Sequence, residues 1–329
     1  MKVKLIAELC QNHLGDFERV KEMVGRAVEA GATHVKIQHI YTDNLTFRPQ
    51  FEEGLQRDGK TYAIKRPFQP EYERLKGLEL EAEQCREFVE NVKANGAIPL
   101  TTCFARGSID AIKEQGFKAV KVASYDCPSY QMLRELSAEF DELIVSTGAS
   151  FPEEIARAAE VLKEHGNYCL LHCVTIYPTP LDELHLSRIE WLKQYSKVVG
   201  FSDHSLVARD GLLASKAALA LNAEVIERHF TILNADQSKD GPVSINPDQL
   251  KELARFAGLS KAEQKAELEE TSPGLLGKVA GDPTRELSSE ELLNRDYYRG
   301  RFATPRKKGS HLASEMIFNW EETPLWRKR

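Results

Sequence analysis

The chain has 329 residues, 42% hydrophobic and 29% charged, with a formal net charge of -6, a globular composition with room for one large core or two ordinary ones. The acidic balance gives no footing for a nucleic-acid partner, and no apolar run reaches the roughly eighteen residues of a membrane span. The start, MKVKLIAELCQ, lacks the apolar region and cleavage site of a secretory signal, so a cytoplasmic protein is expected.

In chain order, the short apolar runs are VKLIAEL, HVKIQH, IPLTTCF, AVKVAS, LIVSTG, YCLLHC, VVGFSDH and VIERHF, each followed by a stretch with helical spacing such as DFERVKEMVGRAVEAGA or PEEIARAAEVLKEHG. Asp16 and Gly31 bracket the first helix as an N-cap and a C-terminal glycine. Eight strands that read as buried on both faces, joined by helices, predict an α/β protein with a parallel sheet closed into a (β/α)8 TIM barrel. The division expected is a barrel domain over residues 1–258 and a short, partly irregular C-terminal extension over 259–329. A dinucleotide-binding reading fails because IAELCQNHLGD carries no glycine-rich turn. The six cysteines, Cys10, Cys85, Cys103, Cys127, Cys169 and Cys173, are scattered singly and read as reduced thiols.

Chemistry in such a barrel gathers at the C-terminal ends of the strands. The polar residues there include Glu8, Asn12, His13, Lys36, Gln38, Thr102, Lys121, Ser124, Asp126, Ser146, Thr175, Tyr177, Ser202, His204, Glu227 and His229. A lone lysine in a strand can simply pair with a carboxylate. Two of them, Lys36 and Lys121, in otherwise apolar runs point to an anionic ligand, because burying an ammonium costs several kcal/mol unless an anion meets it. Thr102, Ser124, Ser146 and Ser202 would add neutral donors around a phosphate or carboxylate. His204 and His229 close adjacent strands and would reach one divalent ion, leaving positions open for water and substrate. Mn2+ or Mg2+ suits two imidazoles, while the thiols of Cys10, Cys103 and Cys173 keep Zn2+ or Co2+ as alternatives. The bland reading has both rings hydrogen-bonded to backbone.

The stretches IAELCQNHLGD, AGATHVKIQH, TTCF, VKVASYDC, STGAS, LLHCVTIYPTP, GFSDHS and ERHF, spread over residues 3–258, resemble the N-acetylneuraminate (sialic acid) synthases and the relatives that make legionaminic and pseudaminic acids. The resemblance implies a condensation of phosphoenolpyruvate with a sugar aldehyde, N-acetylmannosamine-like or related, that yields a 3-deoxy-2-ulosonic acid and phosphate. It further implies metal binding by His204 and His229, and phosphoenolpyruvate binding by Lys36, Thr102, Lys121, Ser124 and Ser202. Glu8, Gln38 and Tyr177 would face the sugar, with Glu8 handling a proton. Ser146, Thr175 and Asp240, in SKDGPVS, complete the substrate contacts. A homo-oligomer, a dimer by preference, follows from the same resemblance.

The chain also departs from the family pattern. Asp126, grouped with Glu8, Lys36 and Lys121 as catalytic, stands where members have glutamate, and Thr175 where they commonly have asparagine. The loop NLTFRPQFEEGLQRDGKTYAIKRPFQPEYE is unlike the common version. Members usually carry an antifreeze-like domain that offers an arginine to the partner's sugar. Here only the 259–329 extension follows, with turn signals and one short helical segment at SSEELLN. The extension is expected to pack on a barrel, its own or a partner's, with its stretch YYRGRFATPRKKGSH closing an active site, by preference that of a neighbouring subunit, through Arg299 or Arg301; the competing reading is a solvated basic tail. Two other function classes stay open. One is another metal-dependent barrel aldolase or sugar-phosphate isomerase; the other is a non-catalytic sugar or phosphate sensor.

Overall fold

A computed structural model describes residues 3–325, so residues 326–329 of the extension lie outside the described residues. Eight strands form the barrel: β1 Lys4–Glu8, β2 His34–His39, β3 Ile98–Cys103, β4 Ala119–Val122, β5 Glu142–Ser146, β6 Tyr168–Cys173, β7 Val198–Asp203 and β8 Val225–His229. Each pairs in parallel with its neighbour, and β1 closes the ring by pairing with both β2 and β8. Among the described residues no helix is long and apolar enough to cross a membrane.

The helices form because apolar residues recur at helical spacing. In Phe17–Glu29 the buried residues are Val20, Met23, Val24 and Ala27, and the Asp16 side chain accepts from the Arg19 backbone N–H at 3.2 Å. Fully burying Val20, Met23 and Val24 contributes about 1.5 to 3 kcal/mol each, so this stripe, more than the cap, holds the helix to the sheet.

Inside the barrel the period of two sorts residues into layers. Ile6, Leu100, Ala119, Ile144, Cys169, Leu171 and Val225 form a separate buried apolar cluster. Two residues further along the same strands stand Glu8, Thr102, Lys121, Ser146, Cys173 and Glu227, all lining the cavity at the mouth. The apolar layer is thus the floor of a polar chamber. Gly200 is part of that floor: a Cβ there would lie 2.2 Å from the Val225 carbonyl oxygen, so any side chain would pry β7 from β8 just below Ser202 and His204.

The core does not stop at residue 258. Leu268, Leu275 and Val279 lie in the same buried cluster as the barrel helices, carried by helices Lys261–Thr271 and Leu275–Ala280, neither of which was expected from the sequence; the segment expected at SSEELLN is the following helix, Ser289–Tyr298. The Ser260–Glu263 capping box starts the first of them.

The rest of the extension folds back over its own barrel, which corrects both the neighbouring-subunit and the solvated-tail expectations. Tyr297, Phe302 and Arg301 are buried. Thr46 N–H donates to the Arg301 carbonyl at 2.9 Å and Ala303 N–H to Asn44 at 2.9 Å. The fully buried Arg106 guanidinium reaches the carbonyls of Glu321 at 2.7 Å and Thr323 at 3.0 Å. The physical reason is that the aromatic residues between the arginines find apolar surface on this chain: Tyr297 packs edge-on against Phe51, and Phe302 lies tilted against Phe104, each at 5.1 Å.

Candidate active site

The mouth holds a cavity of about 460 Å³. Of the residues singled out in the sequence, Glu8, Lys36, Gln38, Thr102, Lys121, Ser124, Ser146, Thr175, Tyr177, Ser202, His204, His229, Asp240 and Arg301 line it. Asp126 and Arg299 do not. The Asp126 carboxylate is buried and turned away, its Oδ1 accepting from Ser129 Oγ at 2.8 Å and from Asn319 Nδ2 at 2.9 Å. Arg299 lies beside Glu154 at 3.7 Å and over the Trp320 ring. Asn12 is a brace, donating to the Phe230 carbonyl at 2.8 Å and Ser244 Oγ at 2.9 Å.

The two lysines are buried, each against a carboxylate. Lys36 pairs with Glu8 and donates to Thr102 Oγ1 at 2.8 Å. Lys121 lies 3.2 Å from Glu227, whose same oxygen accepts from Ser202 Oγ at 3.1 Å. Burial pulls the Lys36 amine down to about 7, with Glu227 opposing the fall and Lys121 adding to it. Burial acts to raise the Glu227 carboxyl, yet the ammoniums of Lys121 and Lys36 outweigh it and hold the group below its usual range. The chamber is therefore two ion pairs side by side, with spare acceptor and donor capacity: Glu227 Oε2 and Ser146 Oγ are buried with no hydrogen-bond partner. An incoming anion can take over the ammoniums without new desolvation, because they are already out of water.

Above the lysines stand the histidines. The rings of His204 and His229 lie 5.4 Å apart between centroids. Burial lowers His204 to about 4 and also lowers His229, so both rings are neutral and able to act as ligands. His204 already has partners, Tyr177 Oη at 2.9 Å on Nε2 and Cys173 Sγ at 3.7 Å on Nδ1. His229 Nδ1 is buried and has none. A ring nitrogen of His229, the Cys10 sulfur and an Asp240 carboxylate oxygen lie within 4.8 Å of one another. An unpartnered imidazole beside a thiol and a carboxylate is a donor set that fits a divalent ion.

Sequence reasoning assigned no role to Glu227, Arg66, Arg74, Lys239 and Asn294, which also line the cavity, together with Tyr298 from the stretch expected to close it. Glu227 carried the same signal as the lysines, a charge inside an apolar strand. The others come from loops, from the helix Phe68–Lys76 and from the extension. Arg66 belongs to the unusual loop after β2, and Arg74 to the helix Phe68–Lys76 at its end, where Glu71 holds it at 2.9 Å. Glu71 also pairs with Arg301, so loop and extension meet at the rim. Tyr298 stacks on Tyr125 at 4.9 Å, and Asn294 donates to the Thr175 carbonyl at 2.9 Å. One chain thus supplies floor, walls and part of the roof.

The chain is 31% identical over 317 residues to the pseudaminic acid synthase of Campylobacter jejuni subsp. jejuni, covering 95% of this chain and 85% of that protein. It is 32% identical over 323 residues to the N,N'-diacetyllegionaminic acid synthase of the same species, covering 94% and 87%. The crystal structure of N-acetylneuraminic acid (sialic acid) synthetase from Leptospira borgpetersenii serovar Hardjo-bovis, in complex with citrate, superposes with a TM-score of 0.67 at 25% identity, covering 90% of this chain and 91% of that one. With residues 23–267 matching the model of the NeuB family, the chain belongs to that family.

Proposed function

We propose that this enzyme condenses phosphoenolpyruvate with an open-chain aldose, N-acetylmannosamine or a related amino sugar, to give a 3-deoxy-2-ulosonic acid and inorganic phosphate. The single observation that carries the reading is the pair of buried ammoniums, Lys36 and Lys121, set among hydroxyls on the floor of one chamber. The names of the Campylobacter relatives support the product class.

Lys36 and Lys121 would hold the carboxylate and phosphate of phosphoenolpyruvate, with Thr102, Ser124, Ser146 and Ser202 donating to the remaining oxygens. Fixing the enol ester this way aligns its C3 with the aldehyde, and held geometry is a large share of a bimolecular rate enhancement. A carbon–carbon bond forms from C3 to the aldehyde carbon, whose oxygen takes up a proton and becomes a hydroxyl. Water then adds to C2, and the resulting tetrahedral centre breaks its bond to the phosphate oxygen, leaving the 2-keto acid. Glu8, hydrogen-bonded to the Cys10 N–H at 2.7 Å and paired with Lys36, is the group placed to relay a proton to the aldehyde oxygen or from the water. A divalent ion held by His204 and His229 would supply Lewis acidity at the aldehyde oxygen. Gln38, Thr175, Tyr177, Asp240 and Arg301 line the upper cavity, where the sugar hydroxyls would lie.

The test is product analysis. Incubation with phosphoenolpyruvate, a divalent ion (Mn2+, Mg2+, Co2+ and Zn2+ in turn) and a panel of aldoses should release one phosphate per phosphoenolpyruvate consumed and give, by mass spectrometry, an acid equal to aldose plus pyruvate. Phosphate release without a new carbon–carbon bond, or none with any acceptor, would overturn the reading.

A further inference from the structure

We propose that Cys10 is a thiolate ligand of the divalent ion at this mouth, acting with His229 and Asp240, so that the site selects Zn2+ or Co2+ over Mg2+ and Mn2+. The inference rests on the functional reading only in placing an ion at the site.

The first observation is backbone strain. Cys10 lies two residues past the end of β1, with φ at 47°. This left-handed region costs a side-chain-bearing residue about 1 to 2 kcal/mol, whereas glycine sits there freely. A cysteine held at such a position points to use of its thiol. The sulfur meets the cavity, donating to Asp240 Oδ2 at 2.8 Å and accepting from Gln38 Nε2 at 3.1 Å.

The second observation is independent of the thiol. His229 is 6% exposed and its Nδ1 has no hydrogen-bond partner, an arrangement that leaves a buried polar atom unsatisfied. Its ring nitrogen, the Cys10 sulfur and an Asp240 oxygen fall within 4.8 Å of one another, a separation that small rotations of the side chains close onto a common ion. By contrast, His204 must first give up Tyr177 Oη.

The bond changes balance without redox chemistry. The thiol S–H of Cys10 breaks, its proton leaves to water, and a sulfur–metal bond forms, while the Asp240 oxygen freed from that hydrogen bond becomes a ligand in its turn. Gln38 remains as a donor to the bound sulfur and would fix its orientation. A thiolate in the set shifts preference toward Zn2+ and Co2+, whereas all-oxygen sites suit Mg2+ and Mn2+.

The experiment uses the metal-stripped full chain and Co2+ alone, with no substrate, so its outcome is separate from that of the phosphate-release assay. Thiolate-to-cobalt charge-transfer absorption in the near ultraviolet is expected for the unmodified chain and for Cys173→Ser, and is expected to vanish in Cys10→Ser. Cys10→Gly removes the thiol and relieves the positive φ, so it should fold at least as well and also lack the band. Zn2+ affinity in both Cys10 variants should fall by more than the roughly 10-fold produced by losing an outer partner of a metal ligand, with Mg2+ affinity little changed. A cobalt complex without the band in the unmodified chain, a band that persists in Cys10→Gly, or one that disappears in Cys173→Ser would overturn the assignment.

Discussion

Asn319 Nδ2 donates to Asp126 Oδ1 at 2.9 Å, joining the end of the extension to the turn after β4. Ser129 Oγ donates to the same oxygen at 2.8 Å. Burial raises the Asp126 carboxyl to about 6, with Asn319 and Ser129 opposing the rise. The folded chain therefore keeps a proton that the unfolded chain releases between about 4 and 6, and stability falls as pH rises through that window. The gap from 3.8 to about 6 corresponds to roughly 3 kcal/mol at most. Asp126→Asn keeps an acceptor oxygen for both donors and removes the titration. Denaturant unfolding at pH 4 and pH 7 should show the variant gaining stability relative to the parent at the higher pH; parallel profiles would place the titration elsewhere.

Lys36 and Lys121 yield a prediction about one substrate only. Replacing either with methionine should weaken phosphoenolpyruvate binding by the roughly 1.5 to 3 kcal/mol of a charge-assisted hydrogen bond, about 10-fold to 150-fold, with little change for the sugar. Lys36→Met alone strands the buried Glu8 carboxylate, which destabilises the fold. The Lys36→Met, Glu8→Gln double variant should recover folding without recovering phosphoenolpyruvate binding. Because the Lys36 amine sits at about 7, its positive charge is present below that pH and lost above it. Affinity for phosphoenolpyruvate in calorimetry should decline as pH rises past 7, and Lys36→Met should remove that component.

Removing the ion should abolish turnover while far-ultraviolet circular dichroism stays unchanged, because both imidazoles sit on barrel strands or directly after them, held by the sheet. His229→Ala should be the more severe single change, since His229 is the ring with a free buried nitrogen and His204 keeps protein partners. A His204→Ala, His229→Ala double variant that turns over fully after chelation would end the metal role.

The barrel was legible because each strand is buried on both faces and reads as an apolar run between turn signals. The lysines stood out for the same reason, as charges where charge is costly. Glu227 had an identical signal inside VIERHF and now appears as the counter-ion of Lys121. Asp126 shows the limit of local reading. It falls at a strand end like its neighbours, yet a residue 193 positions away captures its carboxylate and turns it from the cavity. Arg66 had no periodic signal at all, since loop paths are set by tertiary contacts, and Arg74 and Tyr298 sit on the short helices Phe68–Lys76 and Ser289–Tyr298, whose placement over the mouth is a tertiary matter too. In the extension, aromatic residues between arginines signalled burial, but nothing in the sequence said which barrel they would cover.

Arg301 carries the last prediction. Its guanidinium lines the cavity, pairs with Glu71, and lies over the Phe302 ring at 4.8 Å and the Tyr298 ring at 5.4 Å. A cation so confined is oriented by its neighbours before a ligand arrives, and the ordering entropy is already spent. If the extension roofs the sugar, Arg301→Ala should lower kcat/KM for the acceptor by about 10-fold to 150-fold, the worth of a charged hydrogen bond, and leave the KM for phosphoenolpyruvate unchanged. Arg306→Ala, on the exposed side of the same extension with a 3.3 Å pair to Glu321, should change neither constant. Loss of Arg301 frees Glu71 to bind Arg74 alone, so stability should drop only modestly, which thermal unfolding can check. Equal losses for both substrates would mean that Arg301 holds the rim together without touching the sugar.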